Sequence, residues 1–97
     1  MYAVIFKAHI NELDSEYELT AEKMRELALN KYGCTEFTSA CEGQFEIAVS
    51  YWPSLEAIAK WKQVAEHLIA QELGKTKWYS KYEVQVTKVV RSYASAT

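Results

Sequence analysis

The sequence predicts an α+β domain of the ferredoxin-like type, a βαββαβ antiparallel sheet with two helices on one face. Three observations carry this prediction. Two segments repeat apolar residues at helical spacing, four segments have the apolar or alternating patterns of strands, and short turn-like stretches separate them. The 97 residues fit one domain, residues 1–97, with no internal repeat or linker.

The first half of the chain predicts a strand followed by a helix. The strand runs from Tyr2 to Ile10, because apolar residues occupy both of its alternating faces. Ser15 followed by Glu18 forms a capping box, which predicts that a helix begins there. Gly33 ends this helix. Its apolar face comprises Tyr17, Ala21, Met24, Leu27 and Ala28.

A hairpin is predicted next. Residues 34–41 form a weaker strand with Phe37 as its only large apolar residue, and Glu42-Gly43 is a short turn. Residues 44–52 form a clear strand. In this strand the apolar residues Phe45, Ile47, Val49 and Tyr51 alternate with Glu46, Ala48 and Ser50.

The last third of the chain predicts a helix and a strand. Pro53 stops the preceding strand, Ser54 caps the helix and Gly74 ends it. Residues 75–80 form a connector and residues 82–93 the last strand, with a bulge near Lys88 where the apolar pattern slips. The apolar stripe of the helix comprises Leu55, Ile58, Trp61, Ala65, Leu68 and Ile69.

Composition excludes several classes of protein. The net charge is −2, without the basic surplus of a nucleic-acid-binding domain. The N-terminal residues lack the basic region of a signal peptide, and no apolar run approaches the ~20 residues of a membrane span. A local disulfide between Cys34 and Cys41 is not expected, because their odd spacing puts them on opposite faces of a strand. We therefore expect a cytoplasmic protein with reduced thiols and no nucleic-acid or membrane partner.

Two further features concern partners. One face of the predicted sheet carries no helix, and few residues remain to cover it, so we predict a homodimer in which two sheets pair face to face. The chain also has three Trp, seven Tyr and three Phe. These aromatic residues fill a core and a dimer interface, or several of them together line a pocket for a flat organic ligand.

The segment from Tyr51 to His67 resembles the second helix of the antibiotic biosynthesis monooxygenase family. The resemblance continues through Ala70-Gln71, Trp78-Tyr79 and residues 82–93, and the opening Ala3-Val4-Ile5-Phe6 also fits. It implies a dimeric α/β barrel. It also implies cofactor-free chemistry on a phenol or anthrone, which is bound between sheet and helices, loses a proton and passes an electron to dioxygen.

Two residues are the predicted catalytic pair. Trp61 forms a pocket wall whose indole N–H holds a ligand oxygen, or it is a core residue. The ordinary pKa of histidine suits His67 to acid–base work near neutral pH, unless it is a surface or interface residue. The predicted pocket residues are Phe6, Tyr51, Trp52, Trp78 and Tyr79.

Three functions follow as hypotheses. The first is a cofactor-independent monooxygenase acting on an aromatic or quinol-type molecule with dioxygen. The second is a non-enzymatic dimer that binds a small ligand or serves in a stress response. The third is a haem-degrading monooxygenase, but that branch uses an asparagine on the first strand, which is absent, and a histidine nearer Gln71 than His67. No metal or cofactor is expected, since the chain lacks the usual phosphate-binding and metal-binding motifs.

Overall fold

The computed structural model describes residues 1–12, 14–71 and 78–96, with the backbone alone for residues 67–71. Its elements follow the predicted order: β1 (Tyr2–Ile10), α1 (Ser15–Asn30), β2 (Glu36–Glu42), β3 (Phe45–Trp52), α2 (Leu55–Gln71) and β4 (Tyr79–Lys88). The strands pair antiparallel in the order β2-β3-β1-β4. The ferredoxin-like α+β fold is therefore confirmed.

The start of α1 differs from the prediction by one residue. The N-cap is Asp14 and not Ser15, because Asp14 has extended backbone and its Oδ1 accepts a 2.9 Å hydrogen bond from the Tyr17 amide. The carboxylate thus satisfies one of the free amides of the first turn. The helix ends slightly earlier than predicted, at Asn30 with Lys31 as its C-cap, and Gly33 follows two residues later with a φ of +84° that favours glycine.

The predicted hairpin is confirmed with small changes. β2 begins at Glu36 instead of residue 34, because Cys34 turns into the core and its Sγ lies 3.2 Å from the carbonyl oxygen of Glu36. The turn contains Gly43, whose φ of +61° again requires the left-handed region. The Ser54 cap of α2 is confirmed as well, since its hydroxyl accepts a 3.1 Å hydrogen bond from the Ala57 amide.

The last strand lies earlier in the chain than predicted. Tyr79, expected in a connector, opens β4 and pairs with Ile10 of β1. The irregularity in pairing is at this end of the strand, not near Lys88. β4 ends where β1 begins, so Val89 makes one hydrogen bond to Met1 and Val90 is exposed. Gly74 and residues 75–77 of the predicted connector lie outside the described residues.

The core lies between the sheet and the two helices, in two clusters. One cluster comprises Val4, Ala28, Cys34, Trp52 and Ile58. The other comprises Ala8, Tyr17, Trp78 and Tyr79. The first cluster holds the end of α1 and the start of α2 against the sheet, and the second holds the start of α1 there. Within the described ranges, neither helix is long and apolar enough to cross a membrane.

Candidate functional site

A cavity of about 410 Å³ lies between the helix-facing side of the sheet and the two helices. The strand register places Phe6 of β1 between Ala48 of β3 and Val84 of β4, and these three side chains form part of the cavity floor. Met24 of α1 and Trp61 of α2 contribute walls. The lining is thus mostly apolar, as in pockets that bind small organic ligands.

Aromatic rings form one wall of this cavity. The rings of Phe6 and Tyr82 are stacked with centroids 5.9 Å apart, and Phe6 meets Tyr79 edge to face at 5.4 Å. Tyr79 and Tyr82 are themselves 6.1 Å apart. Such a continuous set of ring surfaces can pack against a flat aromatic molecule.

Among the described residues, the carboxyl group of Glu46 on β3 is buried at the end of the cavity beside this aromatic wall. It is 9% exposed and lines the cavity. The Tyr17 hydroxyl donates a hydrogen bond to its Oε1, and the Tyr79 hydroxyl donates one of 3.4 Å to its Oε2. Each carboxylate oxygen therefore has one phenol donor. The three residues, which we call the Glu46 cluster, come from β3, α1 and β4.

Both phenols of the Glu46 cluster are held in the protonated form. Burial raises the pKa of Tyr17 far above its usual value, and the hydrogen bond to Glu46 raises it further. Burial is also the main cause that raises the pKa of Tyr79, and the charge of Glu46 adds to it. At neutral pH Tyr17 and Tyr79 therefore act as hydrogen-bond donors to the carboxyl group.

A second set of contacts fixes the positions of these tyrosines. The Trp78 indole N–H donates a 3.2 Å hydrogen bond to Asp14, the residue that caps α1. The Trp78 ring also meets the Tyr17 ring edge to face at 5.4 Å. The start of α1 and the start of β4 are thus joined, which holds Tyr17 and Tyr79 at the same end of the cavity.

Trp61 lines the cavity, but its indole N–H does not face a ligand. It donates a 2.9 Å hydrogen bond to the carbonyl oxygen of Met24 on α1. The ring packs between Trp52, at a centroid distance of 5.3 Å, and Phe37, at 6.1 Å. The structure therefore places Trp61 as an apolar wall that also ties the two helices together.

The other predicted site residues are divided between the cavity and the rest of the molecule. Phe6 and Tyr79 line the cavity. Trp52 is fully buried in the core, where its N–H donates to the Ser50 hydroxyl, and Trp78 is buried behind Tyr17. Tyr51 lies on the opposite face of the sheet. His67 is on α2, and its side chain lies outside the described part of the chain.

Glu46 is not among the site residues predicted from the sequence. In the sequence it is one of the residues that alternate with the apolar set of β3. A usable signal was present, because Glu46, Ala48 and Ser50 are in phase with Trp52, the largest side chain of that strand. The buried Trp52 shows which face meets the helices, and Glu46 lies on the same face.

The mouth of the cavity is charged but balanced. Glu22 and Arg25 of α1 face Lys62 and Glu66 of α2, and all four side chains are at least partly exposed. Lys62 and Glu66 form an ion pair at 3.8 Å. In the described part of the chain no group of three or more potential ligand side chains is arranged to hold a metal ion.

Comparison with solved structures defines the class of the fold. SnoaB, a cofactor-independent oxygenase from Streptomyces nogalater, superimposes with a TM-score of 0.76 over 97% of both chains, at 10% identity. A putative antibiotic biosynthesis monooxygenase from Bordetella bronchiseptica gives 0.67 over 93% of this chain and 97% of its own, at 15% identity. A point mutant of MhuD, with two manganese protoporphyrin IX molecules bound per active site, gives 0.56 over 96% and 99%, at 18% identity. The fold is that of the antibiotic biosynthesis monooxygenases, as the sequence resemblance predicted.

Sequence comparison defines the family more narrowly. The uncharacterized protein YqjZ of Bacillus subtilis (strain 168) is 43% identical over 91 residues, which cover 93% of this chain and 80% of YqjZ. The chain therefore belongs to the same family as YqjZ. No protein-family model matches the sequence.

Proposed function

We propose that the protein is a cofactor-independent monooxygenase that acts on an aromatic or quinol-type small molecule. The observation that carries this proposal is the cavity itself, which combines aromatic walls with the buried carboxyl group of Glu46. An apolar cavity favours a flat ligand and limits the access of water, and Glu46 can interact with an acidic hydroxyl of that ligand. The fold shared with SnoaB over 97% of the chain supports the same function.

The proposed reaction needs a substrate that supplies its own electrons. An anthrone gives up a proton to the protein and one electron to dioxygen, which yields a substrate radical and superoxide. These combine in a new carbon–oxygen bond, the peroxide anion takes the proton back from the protein, and the resulting hydroperoxide loses water. In total one CH₂ group and one O₂ become one carbonyl group and one water, so each oxygen atom and each hydrogen is accounted for.

The two predicted catalytic residues, Trp61 and His67, differ in the observations that support them. Trp61 is proposed as a wall that packs against the substrate, since it lines the cavity while its N–H is held by Met24. His67 stays a predicted acid–base residue, six positions after Trp61 on α2.

We also propose that the working form is a homodimer. The sheet face without helices carries Ile5 paired with Val49 and Ala3 paired with Tyr51, an apolar centre of the kind that a second copy would bury. Val90 and Tyr93 beyond β4 are 86% and 84% exposed, which adds apolar surface that this chain does not cover. A dimer supplements the limited core of so short a chain.

The test measures oxygen consumption by the purified protein with anthrones and quinols. A metal chelator is present, and no flavin or haem is added. We expect one O₂ consumed per quinone formed from an anthrone, at a rate at least tenfold above spontaneous oxidation. Ala21 is half-buried and lines the cavity, so Ala21→Phe should fill part of the cavity and abolish the excess rate. The matched variant Ala59→Phe, at an exposed site of α2, should keep it.

Two other results would replace the proposal. Ligand binding in calorimetry with no oxygen consumption above the spontaneous rate would favour a non-enzymatic binding protein. A specific Soret shift on haem addition that is lost in His67→Ala would favour haem chemistry, for which the fold shared with MhuD is the supporting observation.

A further inference from the structure

We infer that Glu46 accepts the hydroxyl proton of the ligand, and that the cavity therefore selects neutral hydroxylated aromatic molecules and rejects aromatic carboxylates. This inference rests on the proposed function, since it concerns the same cavity and the same ligand class. It assigns a specific residue and a rule of selectivity to that site.

The carboxylate of Glu46 can accept more hydrogen bonds than it receives within the Glu46 cluster. Glu46 is 9% exposed and lines the cavity. A carboxylate offers about four acceptor positions, and two of them are used by Tyr17 and Tyr79. Room therefore remains for a hydroxyl donor from a bound ligand. Such a hydrogen bond to a charged acceptor inside a low-dielectric cavity is stronger than one between neutral groups.

Tyr17 and Tyr79 act as positioning residues for Glu46. Each phenol has one proton to donate, and in both cases it is directed at Glu46. A ligand therefore finds an acceptor in Glu46 and no spare phenol proton in the cluster. A hydroxyl donor fits this arrangement, whereas a second carboxylate beside Glu46 would bring two negative charges together.

The positive charges that line the described part of the cavity lie at its mouth, away from Glu46. Among the described residues, the cations that line the cavity are Arg25 and Lys62, both exposed at its mouth. They are matched there by Glu22 and Glu66, and the Lys62–Glu66 pair is 3.8 Å long. Exposed charges are screened by water and salt, so they do little to compensate an anionic ligand placed next to Glu46.

A phenol has a pKa of about 10 and is protonated at neutral pH, so the resting complex holds the proton on the ligand, in a charge-assisted hydrogen bond to Glu46. When the ligand gives an electron to dioxygen, its hydroxyl becomes strongly acidic. The O–H bond then breaks, its electron pair stays on the ligand oxygen, and the proton moves to Glu46. The products are a neutral phenoxyl radical, superoxide and the protonated Glu46.

The test compares three probes of one shape by calorimetry at pH 7: 2-naphthol, 2-methoxynaphthalene and 2-naphthoate. We expect the wild-type protein to bind naphthol at least about tenfold more tightly than the ether, and naphthoate more weakly than both. In Glu46→Gln the ratio between naphthol and ether should fall at least fivefold. Glu26→Gln, at an exposed site of α1 that does not line the cavity, should leave all three affinities unchanged.

Three results would overturn the inference: wild-type protein that binds none of the probes, wild-type protein that binds the ether as tightly as naphthol, or an unchanged ratio in Glu46→Gln. Circular dichroism and thermal melting check the fold of each variant. If Glu46→Gln does not fold, Glu46→Asp takes its place, because it keeps the charge but withdraws the acceptor from the cavity. The ratio should fall in that variant, and an unchanged ratio there also overturns the inference.

Oxygen consumption separates this inference from the proposed function. Selective naphthol binding that depends on Glu46, with no oxygen consumed from any anthrone or quinol, would overturn the oxygenase proposal and keep the role of Glu46 as ligand acceptor. Oxygen consumption at the full rate in Glu46→Gln would keep the oxygenase proposal and overturn the role of Glu46.

Discussion

Burying a carboxyl group among aromatic rings is unfavourable unless its oxygens receive hydrogen bonds. In this chain Glu46 receives them from Tyr17 and Tyr79. Burial raises the pKa of both phenols, and the hydrogen bonds to Glu46 raise it further, so both remain donors. Tyr17 was predicted on the buried face of α1, but hydrophobic periodicity carries no information on what its hydroxyl contacts. The cluster therefore could not be assembled from the sequence alone.

The raised pKa of the two phenols predicts a loss of stability in alkali. Above about pH 10 the unfolded chain releases phenol protons that the folded chain retains. The unfolded state then binds fewer protons, so the free energy of unfolding falls as pH rises, by about 1 kcal/mol per pH unit for each such tyrosine. Urea denaturation at intervals between about pH 8 and 11.5 measures this slope, on both sides of the ordinary tyrosine pKa.

Single variants test whether Tyr17 causes part of this fall in the free energy of unfolding with rising pH. Tyr17→Phe should make the slope shallower by about 1 kcal/mol per pH unit, because one retained phenol proton is removed, although its stability at pH 8 is also lower by about 1–3 kcal/mol. Tyr93→Phe serves as the control, since Tyr93 is 84% exposed in the C-terminal segment. Equal slopes in the wild type, Tyr17→Phe and Tyr93→Phe would contradict the assignment.

At the scale of the elements, the periodic patterns predicted all six helices and strands of the described chain and their order. The errors are at boundaries, where single side chains decide. Asp14 and Ser15 are both good cap residues, and only the geometry shows which one reaches the Tyr17 amide. β4 was predicted too late in the chain because it ends where Lys88 pairs with Tyr2 at the start of β1. This pairing cannot be read from the residues of β4 alone.

The identity of the cap gives a direct prediction. Asp14→Ala removes the acceptor of the Tyr17 amide and of the Trp78 indole, and Trp78 is 1% exposed. The free energy of unfolding should fall by about 2 kcal/mol or more, since a lost cap costs about 1 kcal/mol and an unsatisfied buried donor about 1–3. Ser15→Ala, at the residue that the sequence pattern favours, should change it by less than about 0.5 kcal/mol.

Chemical denaturation of both variants, with Asp14→Asn as a third, measures these differences. Asparagine keeps a side-chain oxygen at the cap and should recover most of the loss. A larger loss for Ser15→Ala than for Asp14→Ala would show that the capping box of the sequence is the true start of α1.

At the scale of the whole molecule, the two faces of the sheet have different roles. The helix-facing side carries Trp52, Glu46 and the cavity. The other side has no helix among the described residues, and its centre is the pair of Ile5 and Val49. The alternation in β3 thus sends its β-branched residues away from the helices, which the sequence pattern alone does not specify. The dimer that we propose would bury this apolar set.

The proposed dimer predicts the effect of a charge at the centre of this face. Val49→Lys should convert the protein from a dimer to a monomer of 11.2 kDa in size-exclusion chromatography with light scattering. A lysine buried without a partner costs about 3 kcal/mol or more, which weakens association at least about a hundredfold.

Leu19→Lys is the control, because Leu19 is 68% exposed on α1, on the other side of the sheet, and its variant should remain dimeric. The far-UV circular dichroism of Val49→Lys should stay that of the wild type, since Val49 lies outside the two core clusters. A monomeric wild-type protein, or a Val49→Lys dimer as strong as that of the wild type, would show that this face does not bind a second copy.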